Sequence, residues 1–182
     1  MRRGYILVVL IIYIISAASF GLLIGDYNEY KGVLVTKRDF NVTVDKATVE
    51  TNRSTDNYER RAWINITLRF WNNGSTPIYL DEVSYKLYLD KIDESNLILE
   101  HKFLLGKRYE DEIIKGGESI TLMFTRTTYN LFEDYYTKNH NNIDLLLGNI
   151  KVKMGFHDHP NLDLITVSFK ERHMKTLWDG GK

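Results

Sequence analysis

Two histidines and two carboxylates crowd one short segment, His157-Asp158-His159 with Asp163 just beyond. Imidazole and carboxylate together suit zinc or copper, which makes His157, His159 and Asp163 the metal-ligand candidates of this chain. Pro160-Asn161 marks the same segment as a turn between strands. With only two imidazoles there, a polar turn is the stronger reading, and no cofactor is assigned. The acidic groups Asp90/Asp93/Glu94, Glu110-Asp111-Glu112 and Glu133-Asp134 offer oxygen ligands for calcium. They lack the spacing and central glycine of a calcium loop and sit beside Lys91, Lys107, Arg108 and Lys115. No Gly-x-Ser-x-Gly, phosphate-binding loop, dinucleotide fingerprint or His-Glu-x-x-His occurs, and catalysis is not expected. Four glycosylation sequons stand at Asn41-Val42-Thr43, Asn52-Arg53-Ser54, Asn65-Ile66-Thr67 and Asn73-Gly74-Ser75. They make Asn41, Asn52, Asn65 and Asn73 candidate acceptors if the chain is exported.

The elements that must position these residues alternate with a period of two, as half-buried strands do. Ile64, Ile66, Leu68 and Phe70 share one face while Asn65, Thr67 and Arg69 share the other. The same pattern runs through Phe40-Val42-Val44, Val83-Tyr85-Leu87-Leu89, Ile120-Leu122-Phe124, Ile150-Val152-Met154-Phe156 and Ile165-Val167-Phe169. Turn-forming residues separate these runs at 72–77, 90–95, 115–118 and 157–161. Residues 129–147 break the alternation, with Leu131, Tyr135 and the apolar 143–147 ahead of Gly148, and predict one or two short helices capped by that glycine. Trp63, Trp71, Tyr79 and Tyr88 are expected on one outward face, either as a binding surface or, the favoured reading, packed beneath the helical insertion. The expected fold is mainly β, an immunoglobulin- or fibronectin-like antiparallel sandwich of about seven strands.

Ahead of the strands, residues 4–24 carry no charge and follow the pair Arg2-Arg3. Twenty-one helical residues cover about 30 Å, the thickness of a bilayer's hydrocarbon core. A buried core helix would carry a polar stripe, and this stretch is apolar all round. The positive-inside bias makes Arg2 and Arg3 the topology determinants, leaving the N-terminus cytoplasmic and the rest extracytoplasmic at the cell membrane. A cleaved signal peptide is the competing reading, with small residues at Ser16-Ala17-Ala18-Ser19. Retention is favoured, because the apolar run continues through Ile24.

The 182 residues hold 24 basic and 24 acidic side chains and no cysteine. Without Arg2 and Arg3, the count is 22 basic against 24 acidic. That balance argues against nucleic acid as a partner, and the missing thiols exclude disulfide scaffolds and cysteine-ligated zinc. The expected division is a transmembrane helix at 1–25, a linker at 26–32, a β-sandwich at 33–176 and a tail at 177–182.

The strand–turn–strand unit of 63–90 resembles the group 2 late-embryogenesis-abundant family, also called the water stress and hypersensitive response domain. The likeness lies in Asn72-Asn73 at the end of one strand, the pair Pro77-Ile78, and Tyr85-Lys86-Leu87-Tyr88-Leu89 in the next. Ile114-Lys115-Gly116-Gly117-Glu118 and the strand after Gly148 are similar to the family's second half, so the resemblance covers about 33–169. Asn73 stands where the family most often has Pro. The resemblance implies a sandwich of roughly seven strands with a helical insertion, often tethered by an N-terminal membrane helix and without a known active site. The expectation is a membrane-anchored, extracytoplasmic, non-catalytic sandwich with an interaction or envelope-protective role and a protein partner in the envelope. Alternatives are a pilin-like filament subunit cleaved after Gly4, which lacks an acidic residue at Val9, and an exported metal-binding or enzymatic module built on the His157 turn.

Overall fold

A computed structural model describes residues 2–51, 61–89, 91–105, 113–129, 145–160, 162–170, 172–174 and 177–179. One helix, α1 (Arg2–Asp39), leads into β1 (Phe40–Thr51), β2 (Arg61–Asn72), β3 (Ile78–Leu89), β4 (Leu97–Leu104), β5 (Ser119–Tyr129), β6 (Leu145–Phe156), β7 (Ile165–Phe169), β8 (Arg172–Met174) and β9 (Leu177–Asp179). Seven of these strands have five or more residues. The nine described strands form two sheets, ordered β5-β2-β1-β9 and β4-β3-β6-β7, with β8 following β7 along the same edge of β6. The long neighbours are antiparallel, and β9 joins β1 in parallel. The fold is a two-layer β-sandwich behind an N-terminal helix.

The core lies where period-two side chains of both sheets meet. Ile64, Ile66, Leu68 and Phe70 of β2 are fully buried, as are Val83 and Leu87 of β3 and Val152 and Met154 of β6. Bulges keep the apolar residues inside where the alternation would otherwise slip. In β1 the pairing skips Asp45, so that Phe40 and Val42 before it and Ala47 after it all point inward. The freed Asp45 carboxylate accepts a hydrogen bond from Arg69 Nε at 2.8 Å. In β6 the pairing with β3 shifts opposite Ser84/Lys86, and Asn149 there takes the positive φ of 50° that Asn tolerates better than most residues.

Four sequence expectations are corrected. Residues 26–32 form no separate linker, because α1 continues without a break to Asp39. Residues 177–179 are strand β9 and not tail, because they pair with Thr48, Val49 and Glu50. Leu145, Leu146 and Leu147 belong to β6, and Gly148 is an interior strand residue instead of a helix cap. All three leucines are buried, and a run covered on both faces has the same apolar signature in a strand as in a helix. The rest of the expected insertion, 130–144, lies outside the described residues. Finally, Trp63 and Trp71 lie on β2 of one sheet while Tyr79 and Tyr88 lie on β3 of the other, so the four share no face. The two tyrosines instead cover glycines of β6, where a Cβ on Gly155 would fall inside the Tyr79 ring and one on Gly148 would crowd Tyr88 and Ile92.

Asn72, the last residue of β2, is fully buried and fully engaged. Its Nδ2 donates to the carbonyls of Thr76 at 2.9 Å and Ile114 at 2.8 Å, and its Oδ1 accepts from Gly74 N at 3.1 Å. Its own N–H donates to Glu118 O, and its carbonyl accepts from Gly117 N. One side chain thereby ties the β2–β3 turn to the segment entering β5. Removing a buried hydrogen-bonding side chain strands every partner it served. Asn72→Ala is expected to lower unfolding free energy by about 3 kcal/mol, measured by urea denaturation of the purified chain; a loss below about 1 kcal/mol would show that the turn holds without it.

Candidate functional site

Two places in the structure combine polar side chains with tertiary constraint: the joint between α1 and the sandwich, and a seam between the edge strands β4 and β5. At the joint, α1 turns one stripe toward the domain. Val33 is buried, Thr36 is fully buried, and Gly32 approaches Thr76. Thr36 Oγ1 accepts a hydrogen bond from Thr76 N at 3.2 Å. Gly74 packs so closely on Thr36 that a Cβ would overlap its backbone. Gly74 is therefore required by this contact and not by positive φ, which is found instead at Gly117 (φ 79°). One turn earlier on the helix, the Glu29 carboxylate meets His159 Nδ1. Before that, the apolar side chains from Leu10 to Ile24 project outward, the large ones between 46 and 75% exposed. The helix is long and apolar enough to cross a membrane.

The joint decides the fate of the metal candidates. His159 is turned toward Glu29 of α1, while His157 and Asp163 remain exposed in the β6–β7 turn. His157 N donates to Pro77 O, which fixes the turn to the start of β3. Among the described residues, no three His, Asp or Glu side chains are grouped where they could hold a metal ion. Of the acidic groups, Asp93 accepts from Ser95 N and caps a single 3-10 turn at Glu94–Asn96. Asp90, Glu110-Asp111-Glu112 and Glu133-Asp134 lie outside the described residues.

The sequons fall in three different settings. Asn41 is half-buried, and its Oδ1 accepts from Val42 N at 2.9 Å. Asn65 is half-buried on the outer face of β2, where its Oδ1 accepts from Thr125 Oγ1 at 2.8 Å. Asn73 is exposed in the β2–β3 turn beside α1, and Asn52 lies outside the described residues.

Sequence alternation does not reveal the seam, because it does not reveal β4. Its run Leu97-Ile98-Leu99 hides the alternation that appears only from Glu100 onward. Strand pairing places His101 directly opposite Tyr85 and Phe103 opposite Val83, all facing inward. From the other sheet, Phe124 packs against Phe103 with ring centroids 4.4 Å apart. Arg126 lies on the same face two residues further along β5, its guanidinium 5.3 Å from the Phe103 ring centroid. Arg126 Nε donates to His101 Nε2 at 3.0 Å, and its second terminal nitrogen is 2.5 Å from the same atom. A guanidinium has only donors, so that Nε2 is the acceptor of a neutral ring. Burial, and secondarily the Arg126 charge, holds the His101 imidazole below its ordinary value. Burial pushes the Tyr85 phenol up. The Tyr85 side chain is almost completely buried, and its hydroxyl has no hydrogen-bond partner among the described residues. The seam thus combines an aromatic floor, a neutral imidazole and a fixed guanidinium fork.

With this geometry, the chain defines a class: a two-layer sandwich carried on a helix of membrane-spanning length. No family model and no curated protein matches it. Among solved structures, the structural-genomics target SoR45 is similar at 10% identity and a TM-score of 0.50, covering 76% of this chain and 87% of that one. A protein assigned as ApaA from Bordetella pertussis has 13% identity and a TM-score of 0.46, over 76% of this chain and 94% of its own. A protein assigned as late-embryogenesis-abundant and solved in solution has 16% identity and a TM-score of 0.37, over 87% and 84% of the two chains. The first of these likenesses carries the fold comparison, and at its identity it speaks of fold alone.

The seam generates two predictions. Because folded His101 resists protonation, the unfolded chain binds more protons as pH falls through about 6.5, so the stability of the folded state decreases on acidification. His101→Gln should flatten that part of the stability–pH curve in denaturation series from pH 7.5 to 5.5; an unchanged slope would remove His101 as its source. Tyr85→Phe deletes a buried hydroxyl with no partner and should leave the melting temperature unchanged or raise it, whereas a fall of several degrees would reveal a bond made by that oxygen.

Proposed function

We propose that this protein is a single-span membrane protein whose sandwich is a non-catalytic interaction or envelope-protective module held on the extracytoplasmic side. The carrying observation is the unbroken passage of α1 from its exposed apolar segment into the buried contacts of Val33 and Thr36. Fourteen residues follow Gly25 in the helix, about 21 Å at 1.5 Å each, so the domain stands on a short stiff post. A post of this kind holds the domain at a set distance and orientation from the bilayer, which suits recognition more than freely diffusing chemistry. Arg2 and Arg3 favour a cytoplasmic N-terminus. The order of features around Asn72, Pro77 and Tyr85 supports a group 2 late-embryogenesis-abundant type of domain. If the host glycosylates exported proteins, Asn73 is the acceptor that the geometry leaves most accessible among Asn41, Asn65 and Asn73.

Since the chain has no cysteine, one introduced thiol reports its own location. With Asn73→Cys, the full-length chain should sediment with membranes, resist alkaline carbonate, and react in intact cells with a membrane-impermeant maleimide. Recovery in the soluble cytoplasmic fraction, or labelling only after lysis, would overturn this reading.

A further inference from the structure

We propose that the edge of β5 left uncovered by the described strands is a docking strand for an extended carboxylate-bearing segment of another protein, with Arg126 pairing with a carboxylate on that segment. The inference rests on reading the domain as an anchored interaction module, and it names the partner's chemistry. β5 is an outermost strand of its sheet among the described strands, and it joins β2 at eleven successive positions without a register shift. Its other side offers backbone groups to an added strand, a common mode of peptide recognition. Proteins usually blunt such edges with Lys, Pro, a bulge, shortness, an inward-pointing charge or a covering loop. β5 has no Lys, Pro or bulge and is eleven residues long, its single charge is the inward-facing Arg126, and its outward row of Thr121, Met123, Thr125 and Thr127 is uncharged and exposed, Met123 by 68%. The other described edges differ: β4 carries Glu100 and Lys102 and a register shift, β7 has only five residues, and β8 and β9 have three each.

Charge narrows the partner. Three nearby cations are matched, Arg69 to Asp45, Lys86 to Glu100 and Lys102 to Glu82. Arg126, the single charge in β5, meets only the neutral His101 ring and the Phe103 face, and no described carboxylate. The two contacts hold its fork in place while leaving donors unused, so little side-chain freedom is lost when a ligand arrives. A residue on an added antiparallel strand directly opposite Arg126 projects to the same face with its Cβ about 5 Å away, within reach of a paired carboxylate. Backbone pairing supplies affinity, and the carboxylate sets the register.

The test uses the full-length chain in lipid nanodiscs and fluorescent peptides of alternating Thr and Val with one central Glu or Gln. The Glu peptide should bind about tenfold tighter than the Gln peptide and slow amide exchange within 119–129. Arg126→Gln should erase that preference, and Arg126→Lys should retain part of it. Equal binding of both peptides, no binding, or protection away from β5 would overturn the proposal. So would spontaneous Thr125→Cys disulfide dimers together with no peptide binding to the cysteine-free chain, which would assign the edge to a second copy. Membrane sedimentation of the same samples separates failure of the edge from failure of the anchored reading.

Discussion

The β2–β3 turn, the segment entering β5 and the helix joint all depend on the buried amide of Asn72. It ends β2 on the inward-facing parity of Ile64, Ile66, Leu68 and Phe70, where the next apolar side chain would have come. There it takes over two carbonyls and one N–H from a turn and a crossing segment that have no sheet ladder of their own. A buried polar group this well satisfied imposes geometry as well as stability, because any displacement leaves several partners dry. The Gly74–Thr76 turn is thereby fixed in the shape that receives Thr36 of the helix.

The joint and the seam lie on different parts of the sandwich and obey different physics. At the joint, contacts are close and polar groups are paired, Thr36 to Thr76 and Glu29 to His159, which favours one orientation of helix and domain. At the seam, the aromatic rings of Phe103 and Phe124 close the core, but the polar groups above them are only half used. The first arrangement transmits position, and the second leaves room for recognition.

Much of the fold was legible because alternation survives wherever one face of a strand is buried and the other is wet. β2 is the clearest case, and β1, β3, β5, β6 and β7 were found on the same signal. It failed where both faces are covered, as at Leu145, Leu146 and Leu147, and at the start of β4, where three apolar residues run together. The polar connection after Gly25 offered no apolar periodicity strong enough to declare a helix, and only contact with the Gly74 turn reveals its buried stripe. His159 was legible as a turn residue but not as the partner of Glu29, 130 positions away in the chain. Arg126, His101 and Tyr85 have no motif spacing at all, since strand pairing and sheet packing bring them together.

By itself, the sequence determined the membrane-spanning length of the N-terminal run, the two-faced character of the strands and the sandwich they must form, because hydrophobic length and period are local properties. It also supplied the turn residues, among them Asn72 and Gly74, without their reasons. Tertiary structure alone decided that the helix runs unbroken into the domain, that Gly74 serves close approach, and that Arg126 is fixed, with no carboxylate partner among the described residues, on an outermost described strand. Those outcomes depend on which surfaces meet across two sheets, and a one-dimensional pattern of residue types does not encode such distances.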